Sequence, residues 1–394
     1  MASVLGIIII AAISYLGSIY VFSKEKLPTP IRYLFYSGWE FILLGMAIGP
    51  LALNFLPEEI IGELDPVIHL GLGWAGLIIG IQLRYKKLAL LDRRHLTVAV
   101  LQAVLTGALA AAVAAPMMIF AREWGEGGLV VSVTVLAAAS ALSSPTVFML
   151  VRKDTGFKER AIRLLQVITA LDAVVAIIAV GAVFSVMFPG SGSFANGIFH
   201  FSQAIGVGIL LGFIFYLFPR NELSENEQMV VILGFVFLSS GIGGALQVSP
   251  LFLNLVCGIF LANTLKQNDT VHKALFHTEK PFYIIMLVMS GLLFTPLSPF
   301  GFVIAIALVA ARLAGKTFFL TTLVKRFEPG FDIPSNSGLA LVSQGAMALT
   351  IGFSLLTVQH GAVQRSVFSI IVVCVMINEI AAPFLAAKVF KVKK

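Results

Sequence analysis

Residues 164–178 read LLQVITALDAVVAII, an apolar run with a single carboxylate, Asp172, near its middle. The run extends from about 161 to 187, long enough to cross a bilayer, which takes roughly 20 residues. Asp172 lies about eleven residues in, or ~16 Å at 1.5 Å per residue, close to the midplane of a hydrocarbon core ~30 Å thick. An acid at that depth is costly, and its default reading is a functional group. The plainer alternative is a carboxylate held in a structural salt bridge. What surrounds Asp172 decides between them.

The rest of the chain has the same character. Its 394 residues are 58% hydrophobic and 12% charged, against about 25% charged in an ordinary soluble domain. So much apolar surface cannot be hidden in a water-facing fold, and a polytopic membrane protein follows. Thirteen apolar segments can be traced, and helix is the state lipid allows, because open strands leave backbone groups unpaired. The first run, residues 1–22, has no basic residue before it, while Lys24 and Lys26 follow. It reads as a transmembrane helix rather than a signal peptide. Cys257 and Cys374 both lie in apolar runs, so neither a disulfide framework nor a metal site is indicated.

A net charge of +7 can suggest nucleic acid. Its distribution argues for membrane topology instead. With alternating crossings, all but four of the 27 Lys and Arg fall on one side. The exceptions are Arg122 and Arg365 on the other side, and Arg312 and Lys316 inside a helix. The positive-inside rule then expects the N-terminus outside and the C-terminus in the cytoplasm of an inner or plasma membrane. The chain is expected to be one integral membrane domain, 1–394, with no soluble regulatory domain.

Two segments look broken. The fifth, around 129–151, contains VLAAASALSSPTVFML, where Pro145 removes a backbone donor and Ser143, Ser144 and Thr146 supply oxygens. The twelfth, around 335–358, contains GLALVSQGAMALTIGF, with Ser343, Gln344 and Gly345 at mid-run. Unwound backbone at membrane depth is tolerated where it lines a cavity or is buried in protein. The two segments are seven apart, so they run in opposite directions, and each precedes a helix with a buried acid, Asp172 or Glu379. That is the pattern of inverted-topology repeats whose broken helices cross near a binding site. Arg312 and Lys316 share one helix face, and a buried cation needs an anion or a helix C-terminal end nearby. A structural or charge-balancing role is expected for both, the alternative being direct participation in proton exchange, with Glu379 as a plausible partner for Arg312.

With these residues in place, the sequence resembles the monovalent cation/proton antiporter superfamily, nearest the bacterial Kef-related sodium/proton branch. The resemblance runs over nearly the whole chain. It rests on GWEFILLGMAIGP (38–50), ALSSPTVF (141–148), ITALDAVV (168–175), LFLNLVCGIFLANT (251–264), ARLAGKTF (311–318) and SGLALVSQGAMALTIG (337–352). It implies a sodium/proton-antiporter-like all-α fold and an ion-binding bundle roughly over 95–187 and 299–388. The remaining helices would form a scaffold and a homodimer contact. It also implies that Asp172 binds cation and proton. Two departures stand out: Leu171 replaces the first member of the usual Asp-Asp or Asn-Asp pair, and Gln344-Gly345-Ala346 replaces an Arg-Gly-Glu-like triplet.

The expected function is exchange of a monovalent cation, Na+ or K+, for H+ by competition at Asp172. Ser143, Ser144 and Thr146 would supply further oxygens, and Arg312, Lys316, Ser343, Gln344 and Glu379 would support the breaks. With one titrating acid the exchange is expected to be electroneutral. No cofactor is implied. One rival is a sodium-coupled anion or organic acid symporter, drawn to Arg312, Lys316 and the half-helix N-termini. Another is a non-transporting scaffold. An enzyme is not indicated. The external acids Glu58, Glu59, Glu63 and Asp65 read as a solvated face, His69 as an interfacial histidine, and Glu40 as a residue that snorkels or caps.

Overall fold

A computed structural model describes residues 2–22, 37–89, 91–121, 128–153, 159–187, 194–218, 224–265, 268–328, 330–331, 333, 336–358 and 361–390. The basic residues Lys24, Lys26, Arg32, Arg122, Lys158, Arg220, Lys266, Lys391, Lys393 and Lys394, used above for topology, lie outside these. The described regular structure is helical: α1 (Ala2–Phe22), α2 (Glu40–Ile48), α3 (Asp65–Gln82), α4 (Arg93–Ala121), α5 (Gly128–Ala141), α6 (Thr146–Lys153), α7 (Glu159–Met187), α8 (Phe194–Leu217), α9 (Glu225–Ala245), α10 (Pro250–Thr264), α11 (Asn268–Leu292), α12 (Pro299–Phe327), α13 (Gly345–Val358) and α14 (Ala362–Phe390). Short turns of helix at Glu58–Gly62 and Tyr85–Leu88, and a 3-10 turn at Ser337–Leu341, complete it. Each of the thirteen apolar runs thus holds a helix. Among the described residues, seven are long and apolar enough to cross a membrane by length and composition.

The second run is shorter as helix than its apolar length suggests. α2 ends at Ile48, because Gly49 precedes Pro50, which disfavours helix at the residue before it. Glu40 stands in the first turn of α2, where an acid complements the helix dipole.

Packing follows the inverted repeat. α4, α5, α7, α12 and α14 pack on one another, and one apolar cluster, from Val98 to Ile168 and from Leu320 to Val389, is drawn from α4, α6, α7, α12, α14 and the stretch around the 3-10 turn. Outside them, α3 packs on α10 and α2 on α11. These two pairs exchange when every run is shifted by seven. Both are close approaches made by glycine. A Cβ on Gly80 would strike the backbone of Leu255 and Gly258, and one on Gly45 the backbone of Val288 and Gly291. Small residues that let backbones touch are the usual means of helix association in lipid, where apolar side chains gain little by leaving one apolar medium for another.

Candidate functional site

Both broken segments are interrupted where Pro145 and the Ser343–Gln344–Gly345 stretch anticipate it. α5 stops at Ala141 and α6 starts at Thr146. On the other side the 3-10 turn stops at Leu341 and α13 starts at Gly345, whose φ of +63° is the left-handed conformation that glycine adopts freely. The two breaks touch: Ser144 N donates to Ser343 O at 2.8 Å.

Each break exposes carbonyls at a helix C-terminus and amides at a helix N-terminus, groups with no partner inside the helix. Arg312, from α12, takes the carbonyls of both. Its guanidinium donates to Ser140 O, to Leu341 O at 2.8 Å, to Val342 O at 3.2 Å and to Ser343 O at 3.3 Å. Glu379, from α14, takes the amides of α13. Its carboxylate accepts from Gln344 N at 2.6 Å, Gly345 N at 2.7 Å and the Ser343 hydroxyl at 2.9 Å. A cation at helix C-termini and an anion at a helix N-terminus both complement the helix dipole. Glu379 is therefore not bonded to Arg312, the partner the sequence suggested, because each charge already has backbone to satisfy. Gln344 bridges as well: its Nε2 donates to Ala139 O at 2.8 Å, and its Oε1 accepts from Asn378 Nδ2 at 2.8 Å.

Asp172 is fully buried, and its Oδ2 accepts from Lys316 Nζ at 2.6 Å. The ammonium also donates to Ala141 O at 2.6 Å and to Gln102 Oε1 at 3.2 Å, so its three protons have three acceptors. The geometry shows the salt bridge that the plainer reading of Asp172 expects; the second carboxylate oxygen, Oδ1, is not engaged by Lys316. Asp172 Oδ1 and Ser143 Oγ are both buried and neither is bonded to a third group; the Ser143 hydroxyl stands beside the carboxylate and acts on it. Ser144 and Thr146 bond each other, hydroxyl to hydroxyl, at 2.9 Å, so of the three expected oxygens Ser143's is the one that acts on Asp172.

A cavity of about 300 Å³ leads to this point. Ser143, Ser144, Pro145 and Thr146 line one wall, Gly345 and Ala346 another, and α3 and α11 close it. Ser143 lines it, and the fully buried Asp172 beside that hydroxyl does not. Gln102, Asn378 and Glu279, which also lines the cavity, were not singled out from sequence. The signal for Gln102 was available: it is a lone amide in an apolar run, as Asp172 is a lone acid.

The family model for the transmembrane sodium/hydrogen exchanger matches residues 8–391. The chain belongs to the sodium/hydrogen exchanger family. As such an exchanger it is a multi-pass membrane protein that antiports cations and protons, and it is not an enzyme. Its fold is that of two solved structures of the sodium proton antiporter MjNhaP1 from Methanocaldococcus jannaschii. One, at pH 8, superposes with a TM-score of 0.69 at 16% identity over 100% of both chains. The other, from electron microscopy, gives 0.65 at 14% identity over 99% of both. A sequence comparison with curated proteins finds no match. The expected superfamily and the antiporter-like helical fold are thereby met.

Proposed function

We propose that this exchanger swaps one monovalent cation, Na+ first and K+ second, for one proton at Asp172, electroneutrally. The observation that carries the reading is the buried Asp172 Oδ1 beside the Ser143 hydroxyl, with Ser143 itself lining a cavity between the two breaks. Hard oxygens in that position suit Na+ or K+. A hydroxyl reorients readily, so Ser143 can pass a cation from the cavity to Asp172. At Asp172 it competes with the Lys316 ammonium for the same carboxylate, and a proton on Asp172 removes the negative charge the cation needs.

The charge balance runs through the pair. If Lys316 stays an ammonium, the site carries the same charge with Na+ on Asp172 as with H+ on it. If Lys316 alone gives up and regains the proton, the balance is again one for one. Both groups must cycle protons for net charge to move, and Leu171 offers no further acid. The helices at 95–187 and 299–388 form the moving bundle, and the rest form the scaffold and a homodimer contact. The N-terminus lies outside and the C-terminus in the cytoplasm of the inner or plasma membrane, which places the cavity, with Gln82 and Gln166 on its walls, on the cytoplasmic side. Against the anion symporter stands the occupancy of its binding groups: Arg312 is bonded to carbonyls, and the amides of α13 to Glu379.

The test is proton flux in proteoliposomes with Na+, K+ and Li+ added in turn. Asp172→Asn is expected to abolish cation-dependent flux, and retained flux would remove Asp172 from the role. Wild-type flux is expected to ignore a clamped membrane potential; steep voltage dependence would mean that a second charge moves.

A further inference from the structure

Glu279 lies on α11, outside the helices that carry Asp172 and its partners. It lines the same cavity as Ser143. Among the described residues no other lining group of that cavity carries a formal charge. The side chain is half-buried, and no hydrogen bond or ion pair ties it to another described residue; Lys280, the next residue along the chain, is a charge that acts on it. An acid held without a partner in a low-dielectric cleft focuses field lines and concentrates counter-ions there. The Ser143 hydroxyl, which lines the same cavity beside Asp172, has lone pairs that can accept whatever the acid gathers.

We propose that Glu279 is the cation-capturing group of this exchanger. It holds an arriving monovalent cation, still partly hydrated, in the outer part of the cavity and delivers it toward Ser143 and Asp172. The proposal rests on cation binding at Asp172, and assigns to the opposite wall a separate role: setting apparent affinity without taking part in the exchange itself. Because the interaction is electrostatic and reached by water, salt must weaken it. The Debye length falls from about 30 Å at 0.01 M to about 8 Å at 0.15 M.

The test is the Na+ dependence of proton flux in proteoliposomes, at low ionic strength and again with choline chloride added. Glu279→Gln is expected to raise the KM for Na+ by about three- to tenfold at low ionic strength with Vmax kept, and the gap is expected to close in high choline chloride. Glu279→Asp is expected to recover most of the wild-type KM. An unchanged KM at low ionic strength, or a KM difference that salt does not touch, overturns the proposal. So does a loss of Vmax in a variant that elutes as wild type on gel filtration. Asp172→Asn, measured in parallel, reports on the underlying reading alone: if it still transports, the binding site is misplaced whatever Glu279 does.

Discussion

Arg312 and Lys316 sit one helical turn apart on α12, yet they answer different needs. The guanidinium is a planar fork, and it reaches carbonyls from both breaks at once. Lys316 is a compact charge aimed at one carboxylate. Arg312→Lys is therefore not a mild change: the carbonyls of at least one break lose their donor, and transport is expected to fall to background with a lower melting temperature in detergent. Lys316→Ala leaves Asp172 as an uncompensated buried charge, which typically costs about 3–5 kcal/mol. The exposed pair Arg365–Glu58, at 3.1 Å, offers a control: Arg365→Ala is expected to shift stability by less than about 1 kcal/mol. Thermal unfolding of the two variants side by side checks the contrast. Ser143→Ala keeps the packing but removes one ligand, and about a tenfold rise in the KM for Na+ is expected from flux assays, equivalent to ~1.4 kcal/mol.

At the scale of elements, the breaks depend on backbone that few side chains tolerate. Gly345 has φ +63°, and a Cβ there would stand 3.0 Å from the Ser144 side chain of the opposite break. The left-handed conformation costs an L-residue about 1–2 kcal/mol, and the contact adds to it. Gly345→Ala is expected to cut flux sharply while leaving helix content by circular dichroism unchanged, because the strain falls where the two breaks cross. The helix pairs outside the bundle respond differently. Gly258 on α10 lies against Leu77 and Gly80 of α3 so closely that any side chain must push the backbones apart. Gly258→Leu is expected to abolish the monodisperse peak on gel filtration, a failure of assembly rather than of ion binding. Pro145 and the Ser-Gln-Gly stretch made both breaks legible in sequence. The glycine contacts were not, since nothing in a single glycine's neighbours along the chain says which helix will lie against it.

For the whole molecule, competition at one carboxylate links proton and cation in a fixed way. Over the range where the proton occupies the site, each unit fall in pH is expected to raise the KM for Na+ by up to about tenfold while Vmax at saturating Na+ holds. Flux measured across pH at several Na+ concentrations checks this, and a Vmax that falls with the same profile would place the proton elsewhere. The crossing of the two breaks gives this behaviour its physical setting. Arg312 and Glu379 neutralise the broken ends with fixed bonds, which leaves the Asp172–Lys316 pair as the buried charges beside the Ser143 hydroxyl.

The sequence by itself determined the membrane class, the helical state, the positions of the two breaks and the identities of the buried charges. Lipid enforces all of these locally: it offers no partner for an open strand, an unsatisfied amide or a stray acid, so each exception must be marked in the chain. The tertiary structure alone decided which charges meet. Glu379 went to the amides of α13 and not to Arg312, Lys316 found Asp172 across 144 residues, and Glu279 came to the cavity from a different part of the fold. Such pairings turn on a few ångströms between helices far apart in sequence, a distance set by how whole helices pack and not by any spacing along one of them.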